Sequence, residues 1–299
     1  MNGKAGNLGD VPKHLLLLEL FYLKLKDSHT PICFFDAFGG NFISNTCAAE
    51  AKKFYGFLEN NQVTKNDKQE VQESLKESMY YRLMKKMWKY SYGEHYYGSS
   101  KWILELISII NSGTNYRVRY NSYELCDVIY SLSCLSSPEN YKFRDNITFQ
   151  IANAYDLTKD YLEAIDSFER GVIFFDPYWG KNKDNDMKGC MKIITELSEK
   201  LNNKPNWSFL IWLPIYNKKD IEVSNEIEKH IKLDIKSYSI YKIESEKIVK
   251  NSTMQGVHLF LINDYDKLSE RLNEVGFNRL NIALGREDYI VTSNKSRLN

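Results

Sequence analysis

Two short apolar runs end in an aspartate, Ile32-Cys33-Phe34-Phe35-Asp36 and Gly171-Val172-Ile173-Phe174-Phe175-Asp176. An acidic side chain at the carboxyl end of a buried strand stands where open α/β sheets bind their ligands. After Asp36 the chain continues as Ala37-Phe38-Gly39-Gly40-Asn41, and the paired glycines let the backbone turn sharply and approach a ligand. After Asp176 come Pro177-Tyr178-Trp179-Gly180. The Asp176 carboxylate and the Pro177 carbonyl can accept hydrogen bonds from an exocyclic amine while an adjacent ring stacks on the base that carries it. That combination suits the amino group of adenine. Asp-Pro is also a common turn former, and the Tyr-Trp pair could equally plug the end of a sheet.

Other chemistries find no foothold. Neither G-x-G-x-x-G nor a Walker A lysine motif occurs, so the dinucleotide and nucleoside-triphosphate signatures are absent, and no serine lies in a G-x-S-x-G elbow. His29, His95, His230 and His258 are dispersed without metal-ligand spacing, and His258 inside an apolar run reads as a core residue, so no metal is expected. The five cysteines are odd in number and form no C-x-x-C pair, which fits a reducing cytoplasm better than a disulfide scaffold or a zinc site. No apolar stretch approaches the ~20 residues that span a bilayer, and the first residues do not read as a secretion signal. With 40 basic against 39 acidic residues in 299, the net charge of +1 excludes a strongly basic nucleic-acid binder, and any such surface must be local.

Elements that would position the two aspartates follow from the apolar pattern. Strands are expected at 32–36, 116–120, 147–153, 171–176, 208–213, 236–244 and 257–262, and helices at 11–26, 102–111, 123–135, 184–202, 219–232 and 265–275. Strands alternating with helices predict an α/β domain with one seven-stranded, mainly parallel sheet. Residues 48–92 break this rhythm and read as an inserted helical subdomain between domain segments 1–47 and 93–291, with 292–299 as a flexible tail. Within the insertion, Arg82, Lys85, Lys86 and Lys89 interleave with Tyr80, Tyr81, Trp88, Tyr90 and Tyr92, a mixture suited to phosphate contacts and base stacking. The competing reading is a solvated helix face with a core stripe of Leu83, Met84, Met87 and Trp88.

A series of ordered motifs makes the functional reading more specific. Ala5-Gly6-Asn7-Leu8-Gly9-Asp10-Val11-Pro12-Lys13-His14 resembles the A-G-N-x-x-D-V-x-K-H motif of the bacterial 23S ribosomal RNA adenine-N6 methyltransferase family. Tyr97-Gly98-Ser99 is similar to that family's Y-x-G-S element, Arg170-Gly171 through Asp176 to its R-G-x-x-x-x-D-P-P-Y strand, Ile211-Trp212-Leu213-Pro214 to its L-W-Y-P strand, and Thr253-Met254-Gln255-Gly256 to its T-A-S-G turn. The resemblance implies a Rossmann-like S-adenosylmethionine-dependent methyltransferase fold with an inserted helical subdomain. It also implies transfer of a methyl group to adenine N6 in RNA, DNA being the alternative substrate and a non-catalytic nucleic-acid or protein-binding module the alternative role.

The resemblance further implies which residues take part. Lys13 and His14 would sit near the methionine end of the cofactor, with Lys13 as partner for its carboxylate. Asp36, Phe38, Gly39, Gly40 and Ser99 would line the same ligand, and Asp176, Pro177, Tyr178 and Trp179 would hold the target base. The chain departs from the family at several of these places. D-P-P-Y is Asp176-Pro177-Tyr178-Trp179, the histidine after the first strand is Phe38, Asn121 stands where an acidic ribose partner is expected, and the next acidic strand end is Tyr155-Asp156, shifted by one residue.

Overall fold

The computed structural model describes residues 6–27, 30–39, 43–44, 48–61, 63, 66–91, 94–110, 118–124, 147–177, 183–246, 254–264 and 267–297. Its main sheet contains β1 (Ile32–Asp36), β4 (Val118–Glu124), β5 (Ile147–Ile151), β6 (Arg170–Phe175), β7 (Trp207–Ile215), β8 (Ser237–Ser245), β9 (Gly256–Ile262) and β10 (Tyr289–Arg297). The order across the sheet is β10-β8-β9-β7-β6-β1-β4-β5. Strands β5, β4, β1, β6 and β7 run parallel, whereas β9 is antiparallel to both β7 and β8. With β8 parallel to β7 and β10 antiparallel to β8, the reversed strands are β9, inside the sheet, and β10, at its edge, and the arrangement is the Rossmann-like fold of S-adenosylmethionine-dependent methyltransferases. The direction of strand progression reverses between β1 and β6, the switch point at whose carboxyl edge open α/β sheets bind ligands in a crevice.

Burial explains why the apolar runs could be read without a structure. Every residue of β1, β6, β7 and β9 is buried, as required of strands covered by helices on both faces. One helical group consists of α1 (Asp10–Lys26) packed on α4 (Met79–Ser91), α5 (Ser99–Ile110) and α9 (Leu268–Glu274). A second consists of α6 (Thr158–Ser167), α7 (Lys183–Asn203) and α8 (Lys218–Asp234), with α7 touching both of its neighbours. Among the described residues, no helix is long and apolar enough to cross a membrane.

Three helices, α2 (Ala49–Glu59), α3 (Asn66–Lys76) and α4, occupy the stretch read as an insertion. A two-stranded ribbon of β2 (Ile43–Ser44) and β3 (Tyr96–Tyr97) brackets them. They are tied to the rest of the chain by specific pairs. Glu70 meets Arg279, and the buried Glu19 of α1 accepts from the Met79 amide at 2.5 Å and from Arg271 Nε at 2.9 Å. Helices α2 and α3 also pack on α10 (Leu280–Ala283).

Three local expectations need correction. Residues 292–297 are not a flexible tail: they form most of β10, an eighth strand in register with β8, pinned where Lys295 Nζ lies 2.8 Å from the buried Asp264. The polar composition concealed it, because an edge strand needs few apolar side chains. Strand β4 runs to Glu124, so Tyr123 and Glu124 are strand and not the start of a helix, and the remainder of that expected helix lies outside the described residues. Helix α5 begins at Ser99 instead of Trp102, which puts two serine hydroxyls in its first turn.

Candidate active site

The loop that opens the chain is a built cap. Asp10 Oδ2 accepts from the amides of Gly6 and Asn7, while Asn7 Oδ1 accepts from those of Gly9 and Asp10. These bonds satisfy donors that a helix start leaves open. Gly6 has φ +81°, and a Cβ there would stand 2.8 Å from both Ala51 and the Tyr96 ring, so only glycine fits. The A-G-N-x-x-D spacing is thus a turn that fixes where α1 begins and which way its second turn faces.

That second turn carries Lys13 into the crevice. Its ammonium lies 2.6 Å from Asp176 Oδ2 and 2.8 Å from Asp10 Oδ1, over the Trp212 ring at 4.6 Å from the centroid. Lys13 is 4% exposed. Burial disfavours its charge, but Asp10 and Asp176 together outweigh burial and hold its pKa above the ordinary value. Asp176 follows directly on β6 and is half-buried, with burial raising its pKa and Lys13 opposing the rise.

Asp36 ends β1, in register with Ser122 and Phe174 of the flanking strands, and is fully buried. Its Oδ2 accepts from Ser99 Oγ at 2.5 Å and from Ser100 Oγ at 2.6 Å. Burial pushes the carboxyl up to about 6 against the two hydroxyl donors, with Asp176 adding to the rise and Lys13 opposing it. The other oxygen, Oδ1, is buried and has no hydrogen-bond partner among the described residues. An orphaned buried carboxylate oxygen is costly unless a donor meets it. The ammonium of a ligand's amino-acid end is such a donor, so the residues present fit S-adenosylmethionine at this point.

The remaining expected residues are distributed unevenly. Phe38 leaves β1 half-buried, with ring centroids 5.2 Å from Phe175 and 5.3 Å from Tyr155. Tyr155 Oη donates to Asp186 at 3.1 Å, and the exposed Asp156 accepts from the Asn153 side chain at 2.8 Å. Gly39 is buried in the turn after β1 and Pro177 is buried after Asp176, whereas Gly40, Tyr178 and Trp179 lie outside the described residues. Asn121 stands mid-strand opposite Phe35, three residues before the end of β4. The acidic residue at that strand's end is Glu124, which sequence reasoning passed over because it closed the strand at Tyr120. The signal was the alternating run Val118 to Glu124 itself.

Two groups of expected site residues meet other surroundings. His14 is not in the carboxylate cluster: its Nδ1 lies 2.9 Å from Tyr96 Oη inside an aromatic group that includes Trp102, and burial beside Lys13 lowers its pKa to about 3. On α4, Arg82 pairs with Glu77 at 2.6 Å, Lys85 with Glu59 at 3.4 Å and Lys86 with Glu105 at 2.9 Å, while Lys89 is exposed. Tyr80, Tyr81, Leu83, Met84 and Met87 are buried, and Trp88 packs on Tyr55 at 4.2 Å. Of the two readings of α4, this arrangement favours the solvated face with a core stripe over the nucleic-acid grip, because three of the four cations are locally neutralised and the rings of Tyr80, Tyr81 and Trp88 pack against the protein.

Comparison with known proteins agrees with this architecture. No protein-family model and no curated protein matches the chain. A Legionella pneumophila protein of the DUF519 family superposes with a TM-score of 0.71 at 16% identity, covering 98% of each chain. A Corynebacterium glutamicum probable spermidine synthase gives 0.45 at 9% identity over 96% of this chain and 74% of its own. A provisionally assigned class I S-adenosylmethionine-dependent methyltransferase from Listeria monocytogenes gives 0.42 at 10% identity over 87% and 62%. The chain thus shares its fold with the Legionella protein over nearly the whole of both chains.

Proposed function

We propose that this protein is an S-adenosylmethionine-dependent methyltransferase acting on N6 of adenine in RNA. The observation that carries the reading is the pair of acidic strand ends on either side of the sheet's switch point, Asp36 with one unpartnered oxygen and Asp176 held by Lys13. S-adenosylmethionine, when bound, supplies an electrophilic methyl group on a sulfonium sulfur. Asp36 Oδ1 accepts from the ammonium of the cofactor's methionine end, and Glu124, at the end of β4, is the candidate partner for the ribose hydroxyls in place of Asn121.

Asp176 performs the orienting step. Lys13 favours the ionised, acceptor-only form of its carboxylate against the rise that burial causes, so it and the Pro177 carbonyl take the two amino hydrogens and turn the nitrogen lone pair outward. Adenine N6 needs orientation and exclusion of water more than a strong base. Trp179 supplies the stacking face for the base. The ion pairs on α4 shift RNA contact away from Arg82, Lys85 and Lys86 and toward the crevice itself.

Calorimetry with S-adenosylmethionine, followed by methyl transfer to RNA and DNA pools, tests the reading. Asp176→Ala is expected to lower turnover roughly 100-fold or more with cofactor affinity little changed, because it acts on the target amine. Transfer to DNA in preference to RNA would reassign the substrate, and cofactor binding without transfer to either would leave a binding module.

A further inference from the structure

The geometry points to Tyr96 as the positioning residue of this crevice, the phenol through which the helical insertion orients His14 and holds the two halves of the proposed cofactor site together. The inference rests on the methyltransferase reading for its ligand and on geometry alone for the relay. Tyr80 Oη of α4 lies 2.8 Å from Tyr96 Oη of β3, which lies 2.9 Å from His14 Nδ1 of α1. Tyr80 and Tyr96 are fully buried and His14 is 3% exposed, so the path is closed to bulk solvent.

A phenol is a strong donor and a bare imidazole nitrogen a strong acceptor, so the favoured direction is Tyr80 O–H to Tyr96 and Tyr96 O–H to His14 Nδ1. Burial keeps the ring neutral, which places its single proton on Nε2. Nε2–H is then the ring position that the bond to Tyr96 does not use, and it is the one offered to a ligand.

Tyr96 also sits where both halves of the crevice depend on it. Its ring fills the space kept open by Gly6, at the turn that starts α1 and aims Lys13 at Asp176. Three residues further along the chain, Ser99 begins the turn whose hydroxyls hold Asp36. One phenol is therefore in contact with the segment that sets Lys13 and covalently next to the segment that sets Asp36. The aromatic neighbours, with Trp102 centred 5.7 Å from Tyr96, leave the ring little freedom to adopt another arrangement.

Two-bond proton–nitrogen correlation spectra of the full chain read the tautomer of His14 directly. The wild type is expected to show only the Nε2–H form between pH 6 and 8, and Tyr96→Phe to convert it to a mixture while the circular dichroism spectrum is retained. S-adenosylmethionine is expected to bind Tyr96→Phe about tenfold more weakly by calorimetry, and Tyr80→Phe, which spares the bond to His14, only about threefold more weakly. If Tyr96→Phe fails to fold, Tyr80→Phe still decides, since a relay predicts a shifted His14 resonance in that variant. A wild-type Nδ1–H tautomer, or a His14 signal indifferent to both substitutions, overturns the relay. Absence of any heat with S-adenosylmethionine in the wild type instead overturns the methyltransferase reading, with the spectra deciding the relay by themselves.

Discussion

The strand ends Phe-Phe-Asp36 and Phe-Phe-Asp176 are written almost identically, and they stand beside each other at one edge of the sheet, yet the fold gives the two carboxylates opposite surroundings. Asp36 is sealed off and, among the described residues, its carboxylate is met by the hydroxyls of Ser99 and Ser100, so burial pushes its carboxyl up to about 6. Asp176 remains partly open, with 18% of its side chain exposed, and is met by a full positive charge at 2.6 Å. The difference comes from helix starts and not from the strands. The first turn of α5 brings hydroxyls, the second turn of α1 brings an ammonium, and each sets what its aspartate can do. A carboxylate with one empty oxygen suits a cationic ligand, and one locked to a lysine suits a neutral amine that must be oriented.

The largest effect should come from removing the cation that distinguishes the pair. Lys13→Met leaves the buried Asp10 and the half-buried Asp176 without their cation, and loss of one member of a buried ion pair costs about 3–5 kcal/mol. Urea denaturation should show this as a lower midpoint with an unchanged slope. A variant as stable as the wild type would mean that Lys13 is not the element separating the two sites.

Asp36→Asn should act in the other direction. Because the folded-state pKa of Asp36 is raised above its unfolded value, the folded form binds the proton more tightly, and this contribution to stability is lost as pH rises from about 4 through about 6. At pH 7.5 the buried charge therefore costs up to ~3 kcal/mol, two pKa units at ~1.4 kcal/mol each. The asparagine variant should be more stable than wild type at pH 7.5 and nearly equal to it at pH 4, which paired melts at the two pH values would reveal. In the wild type the same proton should weaken S-adenosylmethionine about tenfold for each pH unit below about 6, a dependence the variant lacks.

The smallest effect sharpens the contrast from outside. Arg82 and Glu77 are as close as Lys13 and Asp176, at 2.6 Å, but both are more than half exposed. Arg82→Ala should change stability by ~1 kcal/mol or less, because solvent and salt screen such a pair. A shift as large as that of Lys13→Met would show that distance, and not burial, decides the strength of these contacts.

The polar stretch after Tyr289 illustrates how a sequence can mislead. Tyr289-Ile290-Val291-Thr292 has the β-branched character of a strand, but the serine, asparagine and lysine that follow read as a tail until β8 is seen to offer them a pairing edge. Helix α4 misleads in the other direction: its alternation of lysines and rings suggests a nucleic-acid grip, although Glu59 of α2 and Glu105 of α5 approach to pair with Lys85 and Lys86, and Glu77, just before the helix, pairs with Arg82. His14 belongs with these in one respect, since adjacency to Lys13 in sequence suggested that both side chains meet the same partners, whereas neighbouring helix residues point about 100° apart and His14 Nδ1 meets Tyr96 instead of the carboxylates.

The sequence by itself determined the seven strands of the methyltransferase sheet, the helical character of the stretch between β2 and β3, and the candidacy of Lys13, Asp36, Ser99 and Asp176. Apolar runs and glycine turns are local patterns imposed by the periods of strand and helix. Only the tertiary structure decided that Lys13 would be spent between Asp10 and Asp176, that Asp36 would keep one oxygen without a partner, and that His14 would face Tyr96. Those outcomes depend on groups up to 163 residues apart meeting in a medium of low polarity, where a contact of 2.6 Å fixes a charge that no neighbour in sequence could fix.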